Sequence, residues 1–116
     1  MDNIIETKSF NFAIQIVKLY KYLYYSKKEY VLSKQLLRAG TSIGANVAEA
    51  EQAQSKADFI SKISIALKEA TETDYWIRLL NATDYLSNYE IKTILANCNE
   101  LERILTAIIK SSKNSL

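Results

Sequence analysis

The chain has 116 residues, 48% hydrophobic and 24% charged, with a formal net charge of +2, one cysteine and neither proline nor histidine. This predicts one globular domain and excludes a disordered chain, while the single Cys98 leaves no internal disulfide. The missing histidine removes His-based acid–base catalysis and the triads built on it, and no stretch approaches the roughly 20 apolar residues of a membrane span.

The opening MDNIIETKSF lacks the basic start and apolar core of a signal peptide, so a cytoplasmic location is expected. Charge is unevenly spread. From Lys8 to Arg38 there are seven basic residues and one acid, Glu29. From Glu49 to Asp74 there are six acids and three lysines. The first third is therefore a basic surface and the middle an acidic one.

Four helices are predicted. The first covers about residues 9–25. Phe10, Ala13, Val17, Tyr20 and Tyr24 make one apolar row on it; Phe12, Ile16, Leu19 and Leu23 make another. Together they span more than the roughly 100° that a single core contact needs. The helix either touches two neighbours within one bundle or turns one row to a second subunit.

Ser26-Lys27-Lys28-Glu29 has the S-x-x-E form of a capping box and predicts a second helix over about 28–52. Leu32, Leu36, Ala39, Ile43, Val47 and Ala50 form its core face. The helix also carries the only two glycines, Gly40 and Gly44, with Ala48 one turn on. Each glycine costs roughly 1 kcal/mol in a helix interior, so this ladder predicts a close helix approach.

Ser55 and Asp58 predict the start of a third helix, about 56–82, whose core residues are Phe59, Ile63, Ala66, Leu67, Ala70 and Ile77. Asn81 to Leu86 has turn composition, and Ser87-Asn88-Tyr89-Glu90 is a second capping box. It opens a last helix over about 88–111 with the stripe Ile91, Ile94, Cys98, Leu101, Leu105 and Ile108. No strand pattern appears. Four long helices with short turns give an all-α domain over residues 1–116, an antiparallel up-down-up-down four-helix bundle.

Two side-chain groups stand out. Lys18, Lys21, Lys27, Lys28, Lys34 and Arg38 surround the tyrosines of KLYKYLYYSKKEY, a composition suited to phosphates and unpaired bases. The bland alternative is a helix end where tyrosines pack and lysines confer solubility. Gln35, Arg38, Ser42, Asn46 and Glu49 stand at helical spacing and could join Glu69 and Glu72 in a polar network that fixes register. The carboxylates Glu49, Glu69, Glu72 and Asp74 lack the E-x-x-H pairs of a di-metal bundle, and no phosphate-cradling glycine motif occurs. No cofactor, metal, small-molecule substrate or enzymatic activity is expected.

Gln35, Arg38, Ser42, Ile43, Asn46 and Glu49, followed by Asp58, Phe59, Ala66, Glu72 and Trp76, match at fixed spacing a pattern of polar and small residues. In this the chain resembles the small four-helix bundle proteins first noticed in intervening sequences of 23S rRNA genes, over about residues 9–108. Ala50 stands where many members have glycine, which predicts a slightly later turn after the second helix. The family also resembles accessory proteins of diversity-generating retroelements. That likeness implies a ring-shaped homopentamer and RNA or DNA binding, and it implies no enzymatic activity. Two roles follow as expectations: a nucleic-acid-associated scaffold or adaptor, or a protein-interaction module with no nucleic-acid role.

Overall fold

A computed structural model describes residues 3–115 and shows an all-α fold of four helices. α1 spans Asn3–Lys21, α2 Leu32–Ala50, α3 Lys56–Ala82 and α4 Asn88–Asn114. The body measures 47 × 21 × 20 Å, about the length of its longest helices.

Neighbouring helices run antiparallel, as their cross-links show. Ile16 meets Gly40 while Ser9 meets Gly44 across α1 and α2. Arg38 reaches Glu69 and Glu72, whereas Lys62 reaches Glu49, across α2 and α3. Asn81 bonds Asn88 at one end of α3 and α4, and Lys56 bonds Ser115 at the other. Lys8 pairs with Glu100 and Gln15 with Asn97 across α1 and α4. The four helices therefore follow one another around a square. Its α1–α4 side is the most sparsely packed.

The core is continuous. Phe12 and Ile16 of α1, with Leu23 just beyond it, meet Leu36, Ile43 and Val47 of α2, Ile63, Ala66, Ala70 and Ile77 of α3, and Cys98, Leu101 and Leu105 of α4. Of the two apolar rows on α1, the row of Phe12 and Ile16 is the buried one. The other row lies outward: Phe10 is 67% exposed, Ile14 beside it is exposed, and Ala13 and Val17 are half-buried.

Gly40 and Gly44 mark the closest approach of α1 to α2. A Cβ on Gly40 would stand 2.6–2.8 Å from three side-chain carbons of Ile16, and one on Gly44 would stand 3.3 Å from the Ser9 carbonyl oxygen. Ala48 is exposed, so the ladder closes on α1 over two residues rather than three. By Ala48 the stripe has drifted around the helix toward solvent, as 3.6 residues per turn require.

Two helix starts follow the expected caps. The Ser55 hydroxyl accepts from the Asp58 N–H, and Ser87 with Glu90 forms the complete capping box at the start of α4. Other boundaries differ. α1 begins at Asn3 rather than near residue 9, because Ile5 joins the core at helical spacing from Phe12. Its helical path then continues past Lys21 as a π-helical turn over Tyr22–Ser26. Ser26 therefore ends a helix instead of capping one, and α2 starts at Leu32, four residues after the expected position. α2 ends at Ala50, two residues before its expected end, so the alanine there brings no later turn. α4 runs three residues beyond 111.

Candidate functional site

The end of the bundle that carries the α1–α2 turn is built by an acid turned inward. Lys27 N–H donates to the Tyr22 carbonyl at 3.1 Å, which closes the wide π turn. Lys28 then takes φ 56°, the left-handed region that reverses the chain. Glu29 N–H donates to the Leu23 carbonyl at 3.0 Å, and the Glu29 side chain folds back under α2. Its carboxylate accepts from the N–H groups of Val31 at 3.2 Å, Leu32 at 2.9 Å and Ser33 at 2.7 Å. The Ser33 hydroxyl donates to the Glu29 carbonyl. Burial by itself pushes the Glu29 carboxyl up, but the bonds from Leu32, Ser33 and Val31 outweigh it and hold the group below the usual carboxylate range. The one acid of the basic third is thus consumed by the fold, with Glu29 only 7% exposed.

The aromatic residues around this turn form a cluster. Half-buried Tyr24 is its centre. Its ring lies 5.5 Å from Tyr20, 5.0 Å from Tyr25 and 4.8 Å from Tyr30, the last two edge to face. Lys34 Nζ stands 5.8 Å over the Tyr24 ring, and Lys27 Nζ 5.7 Å over Tyr22. Tyr22 donates its hydroxyl to Glu90 at 2.7 Å and so ties the turn to α4. The Ser87 N–H and this tyrosine hydroxyl hold the Glu90 carboxyl below its ordinary range.

The lysines expected to be basic surface lie at this end, and their partners differ from those of Arg38. Lys18, Lys21, Lys27, Lys28 and Lys34 are exposed, and among the described residues none forms an ion pair. Arg38 instead reaches across to α3, with Glu69 at 3.3 Å and Glu72 closer still. Hydrogen bonding to Glu72 raises the Arg38 guanidinium further. Burial opposes ionisation of Glu72, but Arg38 holds that carboxyl down. Arg38 therefore belongs to the bundle's own electrostatics, apart from the lysine group.

The polar stripe of α2 divides into three. Arg38 forks onto Glu69 and Glu72. Ser42 and Asn46 turn back on their own helix, donating to the carbonyls of Arg38 at 2.5 Å and Ser42 at 2.8 Å. Glu49 pairs separately with Lys62 at 3.2 Å. Gln35 is exposed and outside the network. A bond to the preceding turn orders fewer groups than one across helices, so Ser42 and Asn46 satisfy themselves locally.

A carboxyl pair that spacing alone did not flag joins α3 to α4. With its amide turned to the orientation its neighbours demand, Asn99 Nδ2 donates to Glu102 Oε1 at 2.8 Å and to Asp74 Oδ2 at 3.0 Å, while Arg78 Nε donates to Asp74 Oδ1 at 2.7 Å. Burial, then the adjacent Asp74 charge, pushes the Glu102 carboxyl up to about 7. Burial also pushes the Cys98 thiol well above its ordinary value, and its Sγ lies 3.3 Å from the Ala70 carbonyl. Such a thiol is inert. Trp76 Nε1 is the one buried side-chain nitrogen or oxygen left without a hydrogen bond among the described residues.

No match was found among curated proteins. The crystal structure of a protein of unknown function from the S23 ribosomal protein family of Bacteroides thetaiotaomicron superposes with a TM-score of 0.91 at 53% identity, covering 92% of this chain and 99% of that one. The sequence profile of the 23S rRNA-intervening sequence proteins matches residues 1–107, which include the glycine approach, the Arg38 fork and the lysine–tyrosine end. On that match the chain belongs to the 23S rRNA-intervening sequence protein family.

Proposed function

We propose that the protein is a non-enzymatic, homo-oligomeric scaffold that binds nucleic acid through the lysine–tyrosine end of its bundle. One observation carries the reading: five exposed lysines gather around the π turn and the start of α2, none in an ion pair among the described residues, while the nearby acids Glu29 and Glu90 are engaged in caps. Unpaired ammonium groups of this kind attract a polyanion and release its counterions.

The outward row of α1 supports self-association. Phe10 and Ile14 are exposed, with Ala13 and Val17 half-buried beside them, an apolar strip on the outer face of α1. The pentamer implied by the family resemblance would present the lysine end five times and multiply a modest charge through multivalency. The same strip also supports the alternative role, a module that binds a protein and no nucleic acid.

Salt dependence separates the two roles. Anisotropy titrations with labelled RNA and DNA at low and high salt should show affinity that falls steeply with salt, and the double substitution Lys27→Glu/Lys28→Glu should weaken binding at least about tenfold at low salt. Unchanged affinity in that variant, with an unchanged melting temperature, overturns the nucleic-acid role. Sedimentation analysis tests the oligomer, and Phe10→Asp should shift it toward monomer.

A further inference from the structure

We infer that Tyr25 and Tyr30 form a stacking platform that selects unpaired nucleic-acid bases over duplex. The inference rests on the proposed nucleic-acid role and adds the class of ligand. Tyr25 is 64% exposed and Tyr30 47% exposed, yet both rings pack edge-on against Tyr24, at 62° and 69° to its plane. Tyr24 is itself held, half-buried, beneath Lys34. An isolated exposed tyrosine loses rotamer freedom when a base stacks on it. Two rings braced on a common neighbour have already given up part of that freedom, so stacking costs less.

The other tyrosines of the KLYKYLYYSKKEY run are committed elsewhere. Tyr22 is bonded to Glu90 beneath Lys27, and Tyr20 is half-buried. The fold uses the edges of the Tyr25 and Tyr30 rings against Tyr24, while among the described residues their hydroxyls have no hydrogen-bond partner. Lys28 and Lys34 flank Tyr30 in the chain, and Lys27 follows Tyr25 by two residues. Phosphate attraction and base stacking are therefore available within one short stretch, the combination that holds a single strand without reading its sequence. A duplex keeps its base faces covered and can use only the lysines.

The test is anisotropy with the full chain, using labelled oligo-dT, oligo-U and a blunt DNA duplex of equal length over a salt series. The single strands should bind about tenfold or more tighter than the duplex. Tyr25→Ala/Tyr30→Ala should remove that preference and leave both duplex affinity and the slope against log salt unchanged. Tyr25→Phe/Tyr30→Phe should retain it, because a phenyl face still stacks. Comparison of oligo-U with oligo-dT separates RNA from DNA as the source of the strand. Equal binding of strand and duplex, or an alanine pair that binds single strands as well as the parent, overturns the platform while leaving the lysine reading intact. Absence of salt-dependent binding to every probe removes both.

Discussion

At the scale of single residues, three backbone positions set clear expectations. At Gly40 an added methyl meets the branched carbons of buried Ile16 head-on, whereas at Gly44 it makes only a tight contact with the Ser9 carbonyl. Gly40→Ala should therefore lower stability by about 1–3 kcal/mol despite its better helix propensity. Gly44→Ala should cost much less, and thermal melts of the pair will rank them. Lys28 is the complementary case, a lysine in left-handed backbone. Glycine there removes a strain of roughly 1–2 kcal/mol, against a smaller loss to unfolded-chain entropy. Lys28→Gly should raise the melting temperature slightly while it weakens polynucleotide binding and lowers the salt slope by about one. A variant that is more stable yet binds less cannot owe its weaker binding to unfolding.

Among the elements, α2 depends most on one side chain. The Glu29 carboxylate satisfies three N–H groups at its start. Glu29→Ala should cost about 1–3 kcal/mol by chemical denaturation. Because the folded carboxyl titrates below its unfolded value, its stabilisation is present above about pH 4.5 and is lost as pH falls through the lower folded value. This element also shows where sequence patterns were readable and where they were not. The caps at Ser55 and Ser87 were legible because a serine stands immediately before an apolar period with an acid three residues on. Ser26 and Glu29 show the same spacing, but the aromatic run before them keeps α1 winding through a π turn, so Glu29 caps alone from outside the helix. Arg38 was placed both with the lysines, on charge, and in a network with Glu69 and Glu72, on spacing; the register of α2 against α3 decides for the network. The two faces of α1 were visible, while which face is outward depended on where α2 and α4 pack.

For the whole molecule, opposing titrations shape stability. The Glu102 carboxyl, raised to about 7 by burial and Asp74, keeps a proton that the unfolded chain releases near 4.5. Its contribution is fully present below about pH 4.5 and falls away as pH rises toward 7. Glu102→Gln should therefore match the parent in acid and exceed it above pH 7, by on the order of 1 kcal/mol once solvent screening is allowed for. Denaturant titrations at pH 4.5 and 8 compare the two. With Glu29 working in the other direction, these groups favour the acid side of neutrality.

The sparse α1–α4 side gives the bundle a grain. This side has the least packing of the four, and it is bridged by Lys8 with Glu100 and Gln15 with Asn97 around a small groove floored by Phe12 and Leu101. Water competes for each of those bridges, so thermal breathing should run along this line first, as a scroll loosens at its free edge. Amide exchange would record it as shallower protection in the α1 and α4 turns that border the groove than in α2 and α3. A ligand or partner subunit that straddles the line would then stiffen the whole scroll from its edge.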